Sequence, residues 1–169
     1  MLESRKTNWA KLSKKKYDEV WDRFYSDFDF KPSINSWPSV ESKLPTLKLD
    51  IREIFRENYP NPYLVRFCEL GQELLIDISK PNKRLYALDW QHECYEFDPK
   101  LGMSESELFT PSLVPDGDYY IFLSKDFSNV WFGHPWEQAI TLIGEDVVNN
   151  GLRLTEEFRT LQIPVHRLE

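Results

Sequence analysis

Residues 115–144 read PDGDYYIFLSKDFSNVWFGHPWEQAITLIG and form the densest apolar run in the chain. Side chains alternate across an extended backbone, so Tyr119, Ile121 and Leu123 share one side of a strand while Tyr120, Phe122 and Ser124 share the other. Both sides are largely apolar, which predicts an interior strand covered on each face. Asp116-Gly117 before it and Lys125-Asp126-Phe127-Ser128-Asn129 after it carry turn chemistry. Val130-Trp131-Phe132 is then the return strand of a hairpin, interrupted at Gly133-His134-Pro135 because Pro135 has no amide hydrogen for a ladder. Ala139 to Ile143 resumes as a third strand and Gly144 stops it; a helix over 136–148 competes, but β-branched Ile140, Thr141 and Ile143 favour strand.

Upstream, Tyr17, Val20, Trp21, Phe24 and Phe28 recur at three- and four-residue spacing, which predicts an amphipathic helix from about Lys14 to Phe28. An aromatic stripe of this kind is core that covers a sheet. Pro32, Pro38 and Pro45 cut the next stretch, Phe30 to Pro45, into an irregular arm. Asp50 with Glu53 resembles a capping box for a short helix reaching about Asn58, and Asn61-Pro62 opens a second helix reaching Ile78, weakened by Gly71. Ser79 to Lys83 is a turn around Pro81-Asn82. Arg84 to Trp90 reads as a strand, and Cys94 to Phe97 as a second short one. Lys100 to Pro115 is a loop with a helical turn around Ser104 to Phe109, where Glu105 and Glu107 suit a helix start. Glu145 to Leu154 and Thr155 to Leu161 are helical, divided near Asn149-Asn150-Gly151.

These elements give an α+β fold with N-terminal helices packed on one face of a mostly antiparallel sheet, a meander built from 84–97 and 118–143 and closed by a C-terminal helix. The stripe on the first helix is expected to meet Tyr119 or Tyr120. At 169 residues the whole chain, 1–169, is expected to be one domain.

A net charge of −7 and a pI near 5.1 oppose nucleic-acid binding, which needs a basic face. Lys14-Lys15-Lys16 reads as a solvated helix start. Cys68 and Cys94 lie far apart without paired-ligand spacing. The absence of a secretion-type leader, and of any apolar run of about 18 residues, predicts no membrane association and a cytoplasmic home.

Three segments, Tyr86 to Tyr95 (YALDWQHECY), Pro115 to Tyr120 (PDGDYY) and Phe132 to Glu137 (FGHPWE), together resemble an uncharacterised bacterial domain family known only as a domain of unknown function. The resemblance runs from the Trp21-Phe24-Phe28 helix and the Lys31-Pro32-Ser33-Ile34 arm to Gly144, leaving out the C-terminal 20 or so residues. It implies a bacterial origin and brings no activity or cofactor.

Polar residues within apolar runs are the informative ones, because burying them costs free energy unless they are paired. Asp89, His92, Glu93, Asp116, Asp118, His134 and Glu137 make up that set. If the strands around them are neighbours, His92 and His134 converge with Glu137 or Asp118 into a zinc or iron shell or an acid-base site. Against this, no paired-ligand motif is present and three histidines are no enrichment, so no cofactor is assigned, and Asp116 and Asp118, two residues apart beside Gly117, read more readily as turn caps than as an acid-base pair. Cys94 follows His92 at a spacing that puts both on one strand face, with no third group to orient them. Nucleotide-binding glycine motifs are missing.

The competing reading is a non-enzymatic binding or neutralising protein. An acidic chain with 15% aromatic residues, including 6 Trp and 8 Tyr, suits a surface that masks a basic protein. In this it resembles immunity proteins of the SUKH type at the level of fold. Asp89, His92 and Trp136 are the residues expected to contribute to such a binding surface.

Overall fold

The structure is a computed structural model that describes residues 8–80, 82–105 and 108–168. Thirteen elements follow one another: β1 (Ala10–Lys11), α1 (Lys14–Phe28), β2 (Thr46–Asp50), a 3-10 turn (Arg52–Phe55), α2 (Asn61–Ser79), β3 (Leu85–Asp89), β4 (Tyr95–Phe97), β5 (Tyr120–Ser124), β6 (Val130–His134), β7 (Ala139–Ile143), α3 (Glu145–Arg153), α4 (Thr155–Thr160) and β8 (Val165–Leu168). The strands form one eight-stranded sheet in the order β1-β4-β3-β5-β6-β7-β2-β8, with every neighbouring pair antiparallel. The fold is α+β as the sequence predicts, and the strand beginning at Tyr120 is central, paired with β3 on one side and β6 on the other.

Alternation along the central strands divides the core in two. Leu85, Ala87, Phe122, Trp131, Ile140 and Leu142 face a layer made by α2, α3 and α4. Tyr86, Leu88, Ile121, Leu123, Val130 and Phe132 face α1 and the arm. The two N-terminal helices therefore lie on opposite faces of the sheet, whereas the sequence reading placed both on one. The apolar residues on both sides of β5 and β6 required cover on each face, and one helix went to each.

On α1, Val20, Trp21, Phe24 and Phe28 are buried, each large side chain contributing roughly 2–3 kcal/mol by leaving water. Ser13 caps the helix by accepting from the Lys16 amide, and Asp29 ends it in the left-handed region at φ 45°. Lys14 and Lys16 pair with Asp18 and Glu19 on its solvated side. The stripe reaches Tyr119 through Phe30, whose ring sits edge-on at 5.2 Å, and through Phe132. Residues 30–45 form the irregular arm expected, tied back by Lys31 N to Ser39 O and Glu41 N to Phe28 O. On the other face, α2 passes so close to the sheet at Gly71 that a Cβ there would sit 3.0 Å from Trp131. The glycine that weakens the helical pattern is what lets Trp131 be fully buried beneath it.

Several boundaries differ from expectation. Thr46–Asp50 is a strand, so Asp50 ends β2 instead of capping a helix; its carboxylate takes the Arg52 amide and guanidinium, and only a 3-10 turn follows. The break between α3 and α4 falls at Leu154, and Gly151 lies inside α3 packed on Leu142 and Leu47. The chain closes with β8 on β2 after the last helix. β6 continues through His134, and Pro135 starts the turn that follows. The Leu108 amide bonds Glu105 O in the expected turn of the 100–115 loop, while Glu107, and Pro81 in the turn after α2, lie outside the described residues. Among the described residues no helix is long and apolar enough to cross a membrane.

Candidate functional site

Asp89 ends β3 in register with Tyr120 of β5, and the turn that follows carries His92 back over the strand ends. His92 Nδ1 lies 3.0 Å from Asp89 Oδ1 and 3.2 Å from Asp118 Oδ2. The Asp89 and Asp118 side chains are only 12% and 19% exposed, whereas that of His92 is 64% exposed. Asp118 is fixed by accepting the Tyr119 amide at 2.8 Å. Burial raises both carboxyls above the usual carboxylate range, outweighing the pull of His92, while the hydrogen bond and charge of Asp89 raise the imidazole. One imidazole is thus set between two partly desolvated carboxyls.

Asp89 and His92 open onto a pocket of about 580 Å³ whose other walls are Glu93, Tyr95, Tyr120, Leu108 and Phe109; Asp118, in contact with His92, is outside that lining. Glu93 holds Lys11 at 2.8 Å and accepts from the Tyr95 hydroxyl at 3.2 Å; that ion pair lowers the Glu93 carboxyl. Phe109 is 97% exposed at the rim. One nitrogen and two oxygens lie within 4.8 Å of one another, a spacing compatible with a divalent ion, and the same arrangement suits a proton shared at Nδ1 or an organic cation set against the rings.

His134 lies elsewhere. In β6 it has the parity of Val130 and Phe132, which face α1 and the arm, while Asp89 has the parity of Leu85 and Ala87, which face α2. The sheet stands between the two histidine sites, so the structure does not gather His92 and His134 into one cluster. Fully buried His134 accepts the Glu137 amide at Nδ1 (3.1 Å), and its Nε2 lies 3.0 Å from Ser39 Oγ. Nδ1 being an acceptor, the neutral ring carries its proton on Nε2 and donates it to Ser39, which donates in turn to Ser36 O. That is the reverse of the tautomer a serine nucleophile needs, although Ser39 sits at φ 70° beside an imidazole. Burial, with the nearby Lys48 charge, lowers the His134 pKa to about 4. Tyr119 completes the group: its hydroxyl takes the Ser33 amide and donates to Ser33 O. The ensemble clasps the arm to the sheet.

Trp136 packs edge-on to Tyr119 and His134, on the arm side and away from Asp89 and His92. Glu137 pairs with Lys48 of β2. Asp116 is exposed in the turn ahead of Asp118 and is outside the three-residue group. Cys94 is buried with the α1-side core, its thiol pushed up to about 11 by burial, so the two-residue spacing from His92 does not leave them on one face. Sequence reasoning missed Ser39, Tyr119, Tyr95 and Phe109. Tyr119 had a signal, a phenol on a strand side that is otherwise apolar; Ser39 had none.

No solved structure matches the chain. An uncharacterized protein of Bacillus subtilis (strain 168), YxiI, is 31% identical over 147 residues, covering 83% of this chain and 90% of that protein. Residues 11–148 match the family described as Protein of unknown function (DUF2716), and the chain belongs to that family.

Proposed function

We propose that this is a non-enzymatic binding protein of the bacterial cytoplasm that masks a basic partner protein. The observation that carries the reading is the pocket at the end of β3, lined by nearly buried Asp89 and by the exposed imidazole that Asp89 shares with Asp118, beside an exposed Phe109. Carboxylates held out of water with too little positive charge favour an incoming cation, and aromatic side chains at the rim supply contact area. The net charge of −7 adds long-range attraction for a basic surface. His134 is engaged on both ring nitrogens in holding the arm, whereas Asp89 and His92 face an open pocket.

The test compares immobilised wild type with an Asp89→Asn/Asp118→Asn variant in capture from a bacterial lysate. A basic protein retained by wild type alone, and released as salt rises from about 0.05 to 0.5 M, is the expected result, because ionic steering and rim pairs are screened over that range. Identical captured sets on both proteins would overturn the reading.

A further inference from the structure

Resting on that binding reading, we infer that the pocket lined by Asp89 and His92 receives the guanidinium of an arginine side chain of the partner, with His92 swinging aside to open the way to Asp118, which it contacts and which lies outside the lining while His92 is in place. His92 Nδ1 has one hydrogen to place between oxygens 3.0 and 3.2 Å away, so it cannot satisfy both carboxylates well. A guanidinium brings five donors in a planar fork and bonds both at once. Its flat, weakly hydrated face also suits the walls formed by Tyr95, Tyr120 and Phe109, where an ammonium gains less. A pocket of about 580 Å³ gives room for a long side chain. His92, 64% exposed in a turn, is free of the core packing that would prevent its rotation. Lys11, the other cation beside the pocket, is engaged by Glu93.

Displacement leaves a signature in His92 itself. Asp89, with Asp118 beyond it, is what raises the imidazole, and a guest that bonds both carboxylates withdraws that support; among the described residues Glu93, paired with Lys11, and the phenols of Tyr95 and Tyr120 are the remaining titratable groups at the pocket. An occupied pocket therefore has a His92 that titrates at lower pH than the empty one.

The experiment titrates the full-length, 15N-labelled protein with N-acetyl-arginine methylamide, with the corresponding lysine compound and with zinc chloride, following backbone amides and the His92 ring by NMR. The arginine compound should saturate in the millimolar range, on the order of −3 to −4 kcal/mol for one side chain. It should move amides around Asp89, His92, Asp118 and Tyr120, lower the His92 midpoint, and bind several-fold more tightly than the lysine compound. Asp118→Asn should weaken it at least about fivefold, equivalent to roughly 1 kcal/mol. Phe109→Ala, a change at a fully exposed position that leaves the core intact, should weaken it by a smaller factor. Equal binding of the lysine compound, an arginine response unchanged in both variants, or zinc binding at these amides with no arginine response would each overturn the inference. Capture of a basic protein that depends on Asp89 and Asp118 but is not competed by the arginine compound would refute the arginine assignment while leaving the binding reading standing.

Discussion

Lowering the pH should strip stability from the clasp between the arm and β6, and His134 sets how much. Its ring is fully buried, with Nδ1 committed to the Glu137 amide and Nε2 to Ser39. Folding holds its pKa at about 4, against 6.5 for an unperturbed histidine. Above pH 6.5 the ring is neutral in both states and the clasp contributes in full. Between 6.5 and about 4 the unfolded chain takes up a proton that the folded chain refuses, so stability falls as pH falls. At about 1.4 kcal/mol per pH unit, that window removes on the order of 3 kcal/mol. The assay is urea unfolding of wild type and His134→Gln at intervals from pH 7.5 to 4.0, taken as the difference between the proteins so that titration of His92, His166 and the carboxylates largely cancels. Wild type should lose about 3 kcal/mol relative to the variant across the window. A difference that stays flat, or a His134 ring that titrates near 6.5 by NMR in the folded protein, would refute the reasoning.

Gly144→Ala should be among the most damaging single-methyl changes in the chain, because a Cβ would stand 2.1 Å from Ser128 O at a φ of 121°; a loss of about 3 kcal/mol or more in urea unfolding is expected, and a loss below about 1 would contradict the geometry. Asn129→Ala removes the buried acceptor of the Val147 amide, which caps α3 from the β5–β6 turn in place of a local cap, and should cost about 1–2 kcal/mol by the same measurement; no change would mean that water replaces it. The His92 ring should titrate above 6.5, and Asp89→Asn should bring it back down, since the Asp89 hydrogen bond is the largest cause of the shift; an unchanged midpoint by NMR would show the pair to be open in solution.

Much of the fold was legible because burial imposes a period on the sequence. β5, β6 and β7 are short apolar runs bounded by turn residues, and α1 is a stripe at helical spacing, so each could be placed within a residue or two. β2 and β8 escaped because TLKLD and VHRL bury one side or almost none and follow prolines, so their pairing is fixed by neighbours distant in sequence. Gly151 read as a break, but it is a close-packing position inside α3, and a sequence has no local mark that tells the two apart.

The candidate site shows the same limit more sharply. His92 and Asp118 were visible as polar residues at strand ends, and Asp89 as a carboxylate closing an apolar strand. His134 and Glu137 entered beside them because segments close in a linear pattern were assumed to meet on one side of the sheet. Strand parity decides otherwise. Counting by twos from Leu85 puts Asp89 with Phe122 and Trp131 facing α2, and counting from Val130 puts His134 with Phe132 facing the arm. That count was available from the sequence once β3, β5 and β6 were paired, and it separates the histidine that clasps the arm from the one set between Asp89 and Asp118. One fold thus shifts two imidazoles in opposite directions, His134 down by burial and His92 up by the hydrogen bond and charge of Asp89. Of the two, His92 is the exposed one, at the edge of a pocket, while His134 is buried beneath the arm.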